Sequence, residues 1–305
     1  MLLPVSQLFG KCDVYHFTGN TMPLKWLYKG KTVVTVHDVI PLLEHGHKLT
    51  GSKGQFNNKY FDTTIRGSLT YAKKIITVSE SSKKDILNIC PQADVIVIPN
   101  GVDTFFLEQP DESVTNIKKS LKIPNNDLVI VAIGSLTPRK NLKGIIETFE
   151  IVTRHIHNCV LAIVGLEKDQ IRDREYYHIV EKLSGKILFL GKVSDLQLRN
   201  IYFIGDIFFF PSFYEGFGLP LIEAMGAGNA VVSSNVSSLP EIVGDCGETA
   251  VPYDIENLAN KIIFLCRNHE LRYLYKEKSI QRVKEKYTWD RVARDTIAVY
   301  EELVR

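Results

Sequence analysis

The sequence has few of the features that mark specialised protein classes. Its cysteines are odd in number, scattered and without a C-x-x-C pair, which argues against a disulfide framework or a zinc site; they are Cys12, Cys90, Cys159, Cys246 and Cys266. A formal net charge of +2 is too small for the broad positive surface that nucleic-acid binding requires. No apolar run reaches membrane-spanning length. A signal peptide has a charged region before an apolar run, and the start of this sequence has no such charged region. We therefore expect reduced thiols, a cytoplasmic location and no nucleic-acid partner.

The sequence is otherwise typical of a globular protein with room for two domains. It has 305 residues, of which 45% are hydrophobic and 24% charged. Apolar runs of strand length alternate with segments of helical period, and such continuous runs suit strands buried on both faces. The predicted strands lie within Thr32–Ile40, Lys74–Ser79, Asp94–Pro99, Asp127–Gly134, Cys159–Gly165, Lys186–Gly191, Asp206–Ser212 and Asn229–Ser234. The alternation predicts an α/β fold with parallel sheets.

A polar tract after Ile98–Asp103 separates two groups of predicted strands. We predict two Rossmann-like domains that face each other across a cleft, with the binding site in the cleft. The first spans residues 1–103 and the second residues 104–287. Residues 288–305 are predicted to form a C-terminal helix that packs back on the first domain.

The stretch Pro211–Ser234 carries two glutamates, Glu215 and Glu223, on either side of a glycine-rich turn. Gly216 and Gly218 let the backbone approach a ligand closely, and the proline that follows suits the first turn of a helix. Exposed N–H groups at such a helix start bind anions such as phosphate. We predict that a sugar, a diphosphate and a ribose lie here in a row, with Glu223 accepting hydrogen bonds from the ribose hydroxyls.

A leaving diphosphate needs positive charge, and the sequence has no pair of aspartates separated by one residue that would hold a metal ion. The loop Gly134–Gly144 supplies Arg139 and Lys140 after a predicted strand, at the sheet edge where α/β proteins bind ligands. The alternative is that both are surface charges before a helix with Asn141 as its N-cap. Spacing alone favours neither interpretation.

The chain resembles family 4 of the retaining, nucleotide-sugar-dependent glycosyltransferases, which have the two-domain GT-B fold. The resemblance covers nearly the whole chain and rests on motifs that occur in the family's order: TVHDVIPL, YAKKIITVSESSKKDIL, VIPNGVD, GSLTPRKNL, YEGFGLPLIEAMGAG and SSLPEIVGDCGETAVPYD. Family members begin with a glycine-rich strand-turn-helix before the counterpart of DVYHFTGN. The resemblance therefore implies that about half of the first domain is missing.

The resemblance also implies roles for individual residues. The expected catalytic residues are Glu215, Lys140, Arg139 and His37. The expected donor-binding residues are Glu223, Gly216, Phe217, Gly218, Leu219, Gly134, Gly165 and Val193. His37 would approach the donor sugar from the first domain, although a lone histidine is more often structural, and Tyr15–Thr21 would line the acceptor side.

The implied activity is that of a retaining hexosyltransferase in polysaccharide or glycoconjugate biosynthesis. It would move a hexose similar to mannose from a nucleotide-diphosphate sugar to a hydroxyl of a glycan or polyprenyl-linked acceptor. No cofactor and no metal ion are expected, and peripheral contact with the inner face of a membrane stays open. Two other functions also stay open: a non-catalytic nucleotide-sugar-binding protein or inactive fragment, and a GT-B sugar-nucleotide epimerase.

Overall fold

A computed structural model describes residues 12–22, 30–43, 55–172 and 174–305, with residues 55–61 described as backbone only. The chain divides into two compact units. The first contains the chain up to Gly101, the short segment Glu215–Phe217 and the C-terminal Trp289–Arg305; the second contains Val102–Tyr214 and Gly218–Thr288. The predicted division into domains at residues 103 and 287 stays a prediction, because compact packing alone does not establish independent folding.

Strands and helices alternate along most of the described chain. The strands are β1 (Val14–Phe17), β2 (Lys31–Val36), β3 (Lys74–Thr77), β4 (Val95–Val97), β5 (Leu128–Ile133), β6 (Cys159–Val164), β7 (Ile187–Phe189), β8 (Ile207–Phe210), β9 (Ala230–Ser234) and β10 (Gly247–Ala250). The helices are α1 (Gln55–Tyr71), α2 (Glu80–Ile89), α3 (Val114–Ser120), α4 (Leu142–His155), α5 (Tyr177–Lys182), α6 (Asp195–Ile204), α7 (Leu219–Gly226), α8 (Leu239–Val243), α9 (Ile255–Arg267), α10 (His269–Lys286) and α11 (Trp289–Val304). Short 3₁₀ helices cover Ile40–Leu42, Thr104–Leu107, Pro138–Lys140 and Lys168–Ile171.

The first unit is built on a parallel sheet with the strand order β1-β2-β3-β4. Helices cover both faces of this sheet. On one face Val34 packs with Ile65 of α1 and Ile86 of α2. On the other, Val33 packs with Val299 of α11, so the last helix belongs to the core of the first unit. Burial on both faces explains why β2 and β3 have continuous apolar runs.

The second unit has a parallel sheet of six strands in the order β10-β9-β8-β5-β6-β7. β5 pairs with β6 on one side and with β8 on the other. After β7 the chain returns across the sheet to place β8 beside β5, so the switch point of the winding lies between β5 and β8. In α/β sheets the carboxyl ends of the strands at such a switch point form the usual ligand crevice. One apolar stripe of α4 packs on the sheet, and its residues are all buried: Leu142, Ile145, Ile146, Phe149 and Val152.

The structure confirms strands within all eight predicted segments and the α/β class. It adds β1 and β10, which the sequence pattern missed. Both lie at the edges of the sheets that the described residues form, and most of their residues are only partly buried, so neither needs a long apolar run. Among the described helices, none combines the length and apolar composition of a membrane-spanning segment.

Candidate functional site

Arg139 and Lys140 lie at the switch point of the second unit. They end the 3₁₀ helix Pro138–Lys140, which follows β5, and both are half-buried. The Lys140 Nζ lies 4.6 Å from the ring centroid of Phe210, the last residue of β8, in a cation–π geometry. The carbonyl oxygen of Arg139 accepts a hydrogen bond of 2.8 Å from the N–H of Phe213. This hydrogen bond joins the loops after β5 and β8 at the position of Arg139 and Lys140.

Asn141 holds three loops of this sheet edge together. Its Oδ1 accepts from the Gly144 N–H at 3.1 Å and so caps α4, as predicted. Its Nδ2 donates to the carbonyl oxygens of Pro211 and Pro252, each at 3.0 Å. These carbonyls follow β8 and β10, so one buried side chain ties together the loops after β5, β8 and β10. Asn141 also has a left-handed backbone with φ 53°, which asparagine tolerates better than most residues.

Gly134 and Gly165 lie where neighbouring strands end and the backbone segments approach closely. The Gly134 N–H donates to the carbonyl oxygen of Val164, and the Gly165 N–H to that of Gly191, both at 2.7 Å. Gly165 has φ +92°, and a Cβ there would lie 2.9 Å from the Gly134 oxygen. Close packing thus accounts for both glycines, and their contact with a nucleotide stays a prediction. The structure brings these glycines together at the ends of β5, β6 and β7.

Val193 lies in the connection between β7 and α6 and is half-buried. It lines a cavity of about 290 Å³ within the second unit, together with Ile117 of α3, Leu190 and Ile201 of α6. Polar side chains line it as well, namely those of Glu112, Ser120, Gln197 and Asn200. Its relation to a nucleotide base stays a prediction.

Helix α7 carries the second glutamate of the glycine-rich stretch. Gly218 precedes it with φ 121°, a backbone conformation that favours glycine, and Pro220 lies in its first turn, as predicted. Leu219 at the helix start is 44% exposed. Glu223 lies one turn further on, and its Oε2 accepts a hydrogen bond of 3.1 Å from the hydroxyl of Tyr202 on α6. The carboxylate is therefore attached at one oxygen within the second unit.

The pKa of Glu223 lies above its usual value because burial disfavours the charged form. The hydrogen bond from Tyr202 acts in the opposite direction, and the carboxylate of Asp195 raises the pKa further. Burial also raises the pKa of Tyr202 well above its usual range. Tyr202 is therefore protonated at neutral pH and acts as the donor of this hydrogen bond.

The first glutamate lies in a segment, Glu215–Phe217, that packs with the first unit. Glu215 and Phe217 are both buried. The carbonyl oxygen of Gly216 accepts hydrogen bonds from Ser79 Oγ at 2.7 Å and Ser82 Oγ at 3.0 Å. The two glutamates thus belong to different compact units although only seven residues separate them in the sequence.

Gly216 also lies against the residues that follow β2. A Cβ on Gly216 would come 2.7 Å from Asp38 Cβ and 2.9 Å from the carbonyl oxygen of His37. The same His37 oxygen lies 3.2 Å from Ser82 Oγ, whose single proton is shared between this oxygen and that of Gly216, so Ser82 contacts both segments. Among the predicted site residues, His37 and Gly216 are therefore neighbours in the first unit, and Gly216 has no room for a side chain.

His37 is held by the segment Tyr15–Thr21. Its N–H donates to Asn20 Oδ1 at 2.7 Å, and its ring Nε2 lies 3.1 Å from the carbonyl oxygen of Thr18. Because a carbonyl oxygen only accepts, this contact requires the proton on Nε2. Neutral His37 then has Nδ1 as its acceptor. The contact gives His37 a structural role, and its predicted catalytic role stays a prediction.

Three contributions to the site were not visible in the sequence pattern. Neither Tyr202 nor Ser82 was singled out by the sequence pattern. Asn141 was predicted only as a cap, because its partners Pro211 and Pro252 are distant in the chain. In the described part of the chain, no group of three or more His, Cys, Asp or Glu side chains is arranged to hold a metal ion. Independence from metal ions stays a prediction.

Comparison with known protein families decides the family. The model of the glycosyl transferases group 1 matches residues 113–282, more than half of the chain. The chain belongs to the glycosyl transferases group 1. A second model, glycosyltransferase family 4, matches residues 5–105. The predicted resemblance to family-4 glycosyltransferases is confirmed, whereas the predicted shortening of the first domain stays a prediction.

The chain is also similar to individual proteins of Escherichia coli and Methanocaldococcus jannaschii. The chain is 29% identical over 253 residues to O-antigen chain mannosyltransferase B of Escherichia coli, covering 80% of this chain and 65% of the relative. It is 31% identical over 234 residues to the uncharacterized glycosyltransferase MJ1607 of Methanocaldococcus jannaschii, covering 74% of this chain and 59% of the relative. The chain thus spans about three fifths of the length of these relatives.

Solved structures confirm the GT-B fold of this group 1 glycosyl transferase. HepE of Anabaena, solved in complex with UDP and glucose, has a TM-score of 0.76 to the chain at 17% sequence identity. The match covers 91% of this chain and 73% of HepE. At this identity the likeness concerns the fold alone.

Proposed function

We propose that the chain is a retaining hexosyltransferase that binds a nucleotide-diphosphate sugar on its second unit and transfers the sugar to an acceptor hydroxyl. The observation that carries this proposal is the switch point between β5 and β8. The loop after β5 presents Arg139 and Lys140, and the helix that follows β8 presents Glu223. Membership of the glycosyl transferases group 1 supports the same activity.

The chemistry of these groups suits the donor. Fixed cations stabilise the negative charge that develops on a departing diphosphate, which is the role we assign to Arg139 and Lys140. The start of α7 offers backbone N–H groups to a phosphate. A carboxylate such as Glu223 accepts hydrogen bonds from two vicinal hydroxyls, as in a ribose. Glu215 and His37 are assigned to the sugar itself, and metal independence is part of the proposal.

The relatives support a choice of sugar and acceptor for this proposal. The Escherichia coli relative is an O-antigen chain mannosyltransferase, so we assign a mannose-like hexose and a glycan or lipid-linked acceptor in surface-polysaccharide assembly. HepE was solved with UDP and glucose, so UDP-hexoses belong in the same donor panel as GDP-hexoses. Cytoplasmic location and peripheral membrane contact stay predictions.

Donor binding is the first test. Calorimetry with GDP-, UDP-, ADP- and dTDP-hexoses, with and without EDTA, is expected to give selective binding that EDTA does not change. Glu223→Ala removes hydrogen bonds to a charged acceptor and is expected to weaken donor binding by about 10- to 100-fold. Glu256→Gln, in the first turn of α9, is the control and is expected to bind as the wild type does. Unchanged binding by Glu223→Ala would refute the assigned site.

Transfer is the second test. With a bound donor and a panel of glycan and polyprenyl-linked acceptors, NMR of the product is expected to show the anomeric configuration of the donor sugar. Inversion would contradict the retaining mechanism. Donor binding without transfer or hydrolysis would support a non-catalytic nucleotide-sugar-binding protein, and a new epimer of the donor without acceptor would support an epimerase.

A further inference from the structure

Tyr202 is a fully buried tyrosine whose hydroxyl has a functional partner. Its ring packs edge-on against Phe106 at 6.0 Å and Phe208 at 5.7 Å between centroids, where a phenylalanine ring would fit equally well. A buried hydroxyl is costly unless it is hydrogen-bonded. In the described structure the Tyr202 hydroxyl donates to Glu223 Oε2 at 3.1 Å. Packing explains the ring, and the hydroxyl needs a separate explanation.

The backbones that carry Tyr202 and Glu223 are joined by a second contact. Asn229 Nδ2 donates to the carbonyl oxygen of Tyr202 at 2.8 Å and to that of Ala224 at 2.9 Å. Ala224 follows Glu223 on α7, so one amide group ties the last turn of α6 to the middle of α7. The helices that carry the phenol and the carboxylate are therefore also joined through their backbones.

We propose that Tyr202 is a positioning residue of the donor site, whose hydroxyl fixes Glu223 through Oε2 and leaves Oε1 to accept hydrogen bonds from the donor ribose. This inference rests on the proposed function of Glu223. A free glutamate loses rotamer entropy when it binds, and a carboxylate that is already held loses less. The same hydrogen bond favours the charged form of Glu223, which is the form that accepts two hydroxyl groups.

The Tyr202→Phe variant tests this role because it keeps the ring and removes the hydroxyl. We expect the donor KM and Kd to rise about five- to tenfold and kcat to change less than twofold. Donor affinity is expected to fall at low pH as Glu223 becomes protonated, and we call this fall the acid limb of the pH profile. In Tyr202→Phe we expect the acid limb to move to higher pH, because the hydrogen bond that lowers the pKa of Glu223 is lost while Asp195 still raises that pKa. A merely structural role would lower stability without moving this limb.

Tyr275→Phe is the matched control. Tyr275 also donates to a glutamate of the second unit, Glu248 Oε1 at 2.9 Å, and its loss is expected to leave the donor KM and its pH profile unchanged. In a Glu223→Gln background, Tyr202→Phe is expected to add less than a twofold change. An unchanged donor KM and pH profile in Tyr202→Phe would overturn the proposal.

Two further results separate this inference from the proposed function. If Glu223→Gln weakens donor binding and Tyr202→Phe does not, the positioning role alone is wrong; if the wild type binds no donor, both are wrong.

If Tyr202→Phe does not fold, 3-fluorotyrosine at position 202 provides a second variant, since its more acidic hydroxyl is a stronger donor. The acid limb is then expected to move to lower pH, and an unmoved limb would overturn the proposal.

Discussion

Asn141→Ala is expected to destabilise the second unit much more than the loss of an ordinary helix cap. The side chain is 5% exposed and makes three hydrogen bonds, one to the Gly144 N–H and one each to the carbonyl oxygens of Pro211 and Pro252. Alanine makes none of these bonds. It would also have to adopt the left-handed backbone of Asn141, with φ 53°.

The size of the effect follows from these contacts. Loss of the cap costs about 1 kcal/mol. Each carbonyl left without this buried donor costs about 1 kcal/mol more. Alanine in the left-handed region adds about 1 kcal/mol. The total of about 4 kcal/mol is a large part of the stability of a typical protein, which is about 5–15 kcal/mol.

Two further substitutions separate these contributions. Asn141→Gly removes the same hydrogen bonds, but glycine adopts the left-handed backbone without the strain of alanine. It is therefore expected to be about 1 kcal/mol more stable than Asn141→Ala. Asn141→Asp keeps an acceptor for the Gly144 N–H and tolerates the left-handed region, but it turns a negative oxygen toward two carbonyl oxygens. It is expected to lose at least about 2 kcal/mol, which isolates the role of the amide as a donor.

Guanidinium unfolding, followed by circular dichroism and by fluorescence, measures these differences when both probes give one transition with an unchanged slope. Asn268→Ala is the matched control. Asn268 caps α10 by accepting from the Leu271 N–H at 3.0 Å, and in the described part of the chain its side chain makes no other hydrogen bond. Its loss is expected to cost about 1 kcal/mol. If Asn141→Ala costs no more than Asn268→Ala, or if Asn141→Asp is as stable as the wild type, the proposed joining of three loops is wrong.

The remaining predictions concern a glycine and the thiols. Gly144→Ala is expected to lower the unfolding midpoint although alanine favours helices, because the new Cβ would lie 2.5 Å from the amide of Asn141; an unchanged or higher midpoint would contradict this. Burial raises the pKa of Cys159 and Cys246 to about 11 and that of Cys266 to about 12. A raised pKa lowers the thiolate fraction, so at pH 8 iodoacetamide is expected to label the exposed Cys12 first and these three only after unfolding. Mass spectrometry of the labelled peptides checks the order, and early labelling of Cys266 would contradict it.

The position of the Glu215–Phe217 segment shows how a local motif can have a distant structural cause. The glycine-rich turn indicated a close backbone approach, and the sequence pattern assigned that approach to a ligand. In the structure, a Cβ on Gly216 would come too close to Asp38 and His37, and the Gly216 carbonyl oxygen accepts a hydrogen bond from Ser79 Oγ. The glycine therefore has a packing reason of its own, whatever it contacts in a bound donor.

The sequence by itself determined the α/β class, most of the strands and the ends of several helices. Strands buried on both faces need continuous apolar residues, which made β5, β6 and β8 visible. The cap Asn141 was visible because a cap bonds to a backbone N–H only three residues away. Edge strands such as β10 were not visible, because a half-exposed polar strand has no such pattern.

Only the tertiary structure decided which distant residues meet. The strand order placed β5 beside β8 and thereby brought Asn141 to Pro211 and Pro252, which lie 70 and 111 residues further along the chain. It likewise joined Tyr202 to Glu223, although nothing in the helical pattern of α6 distinguished this tyrosine from a phenylalanine. The physical reason is that caps and hydrophobic periodicity act within a few residues. Contacts between sheet-edge loops depend instead on strand order, which is set by the packing of the whole sheet.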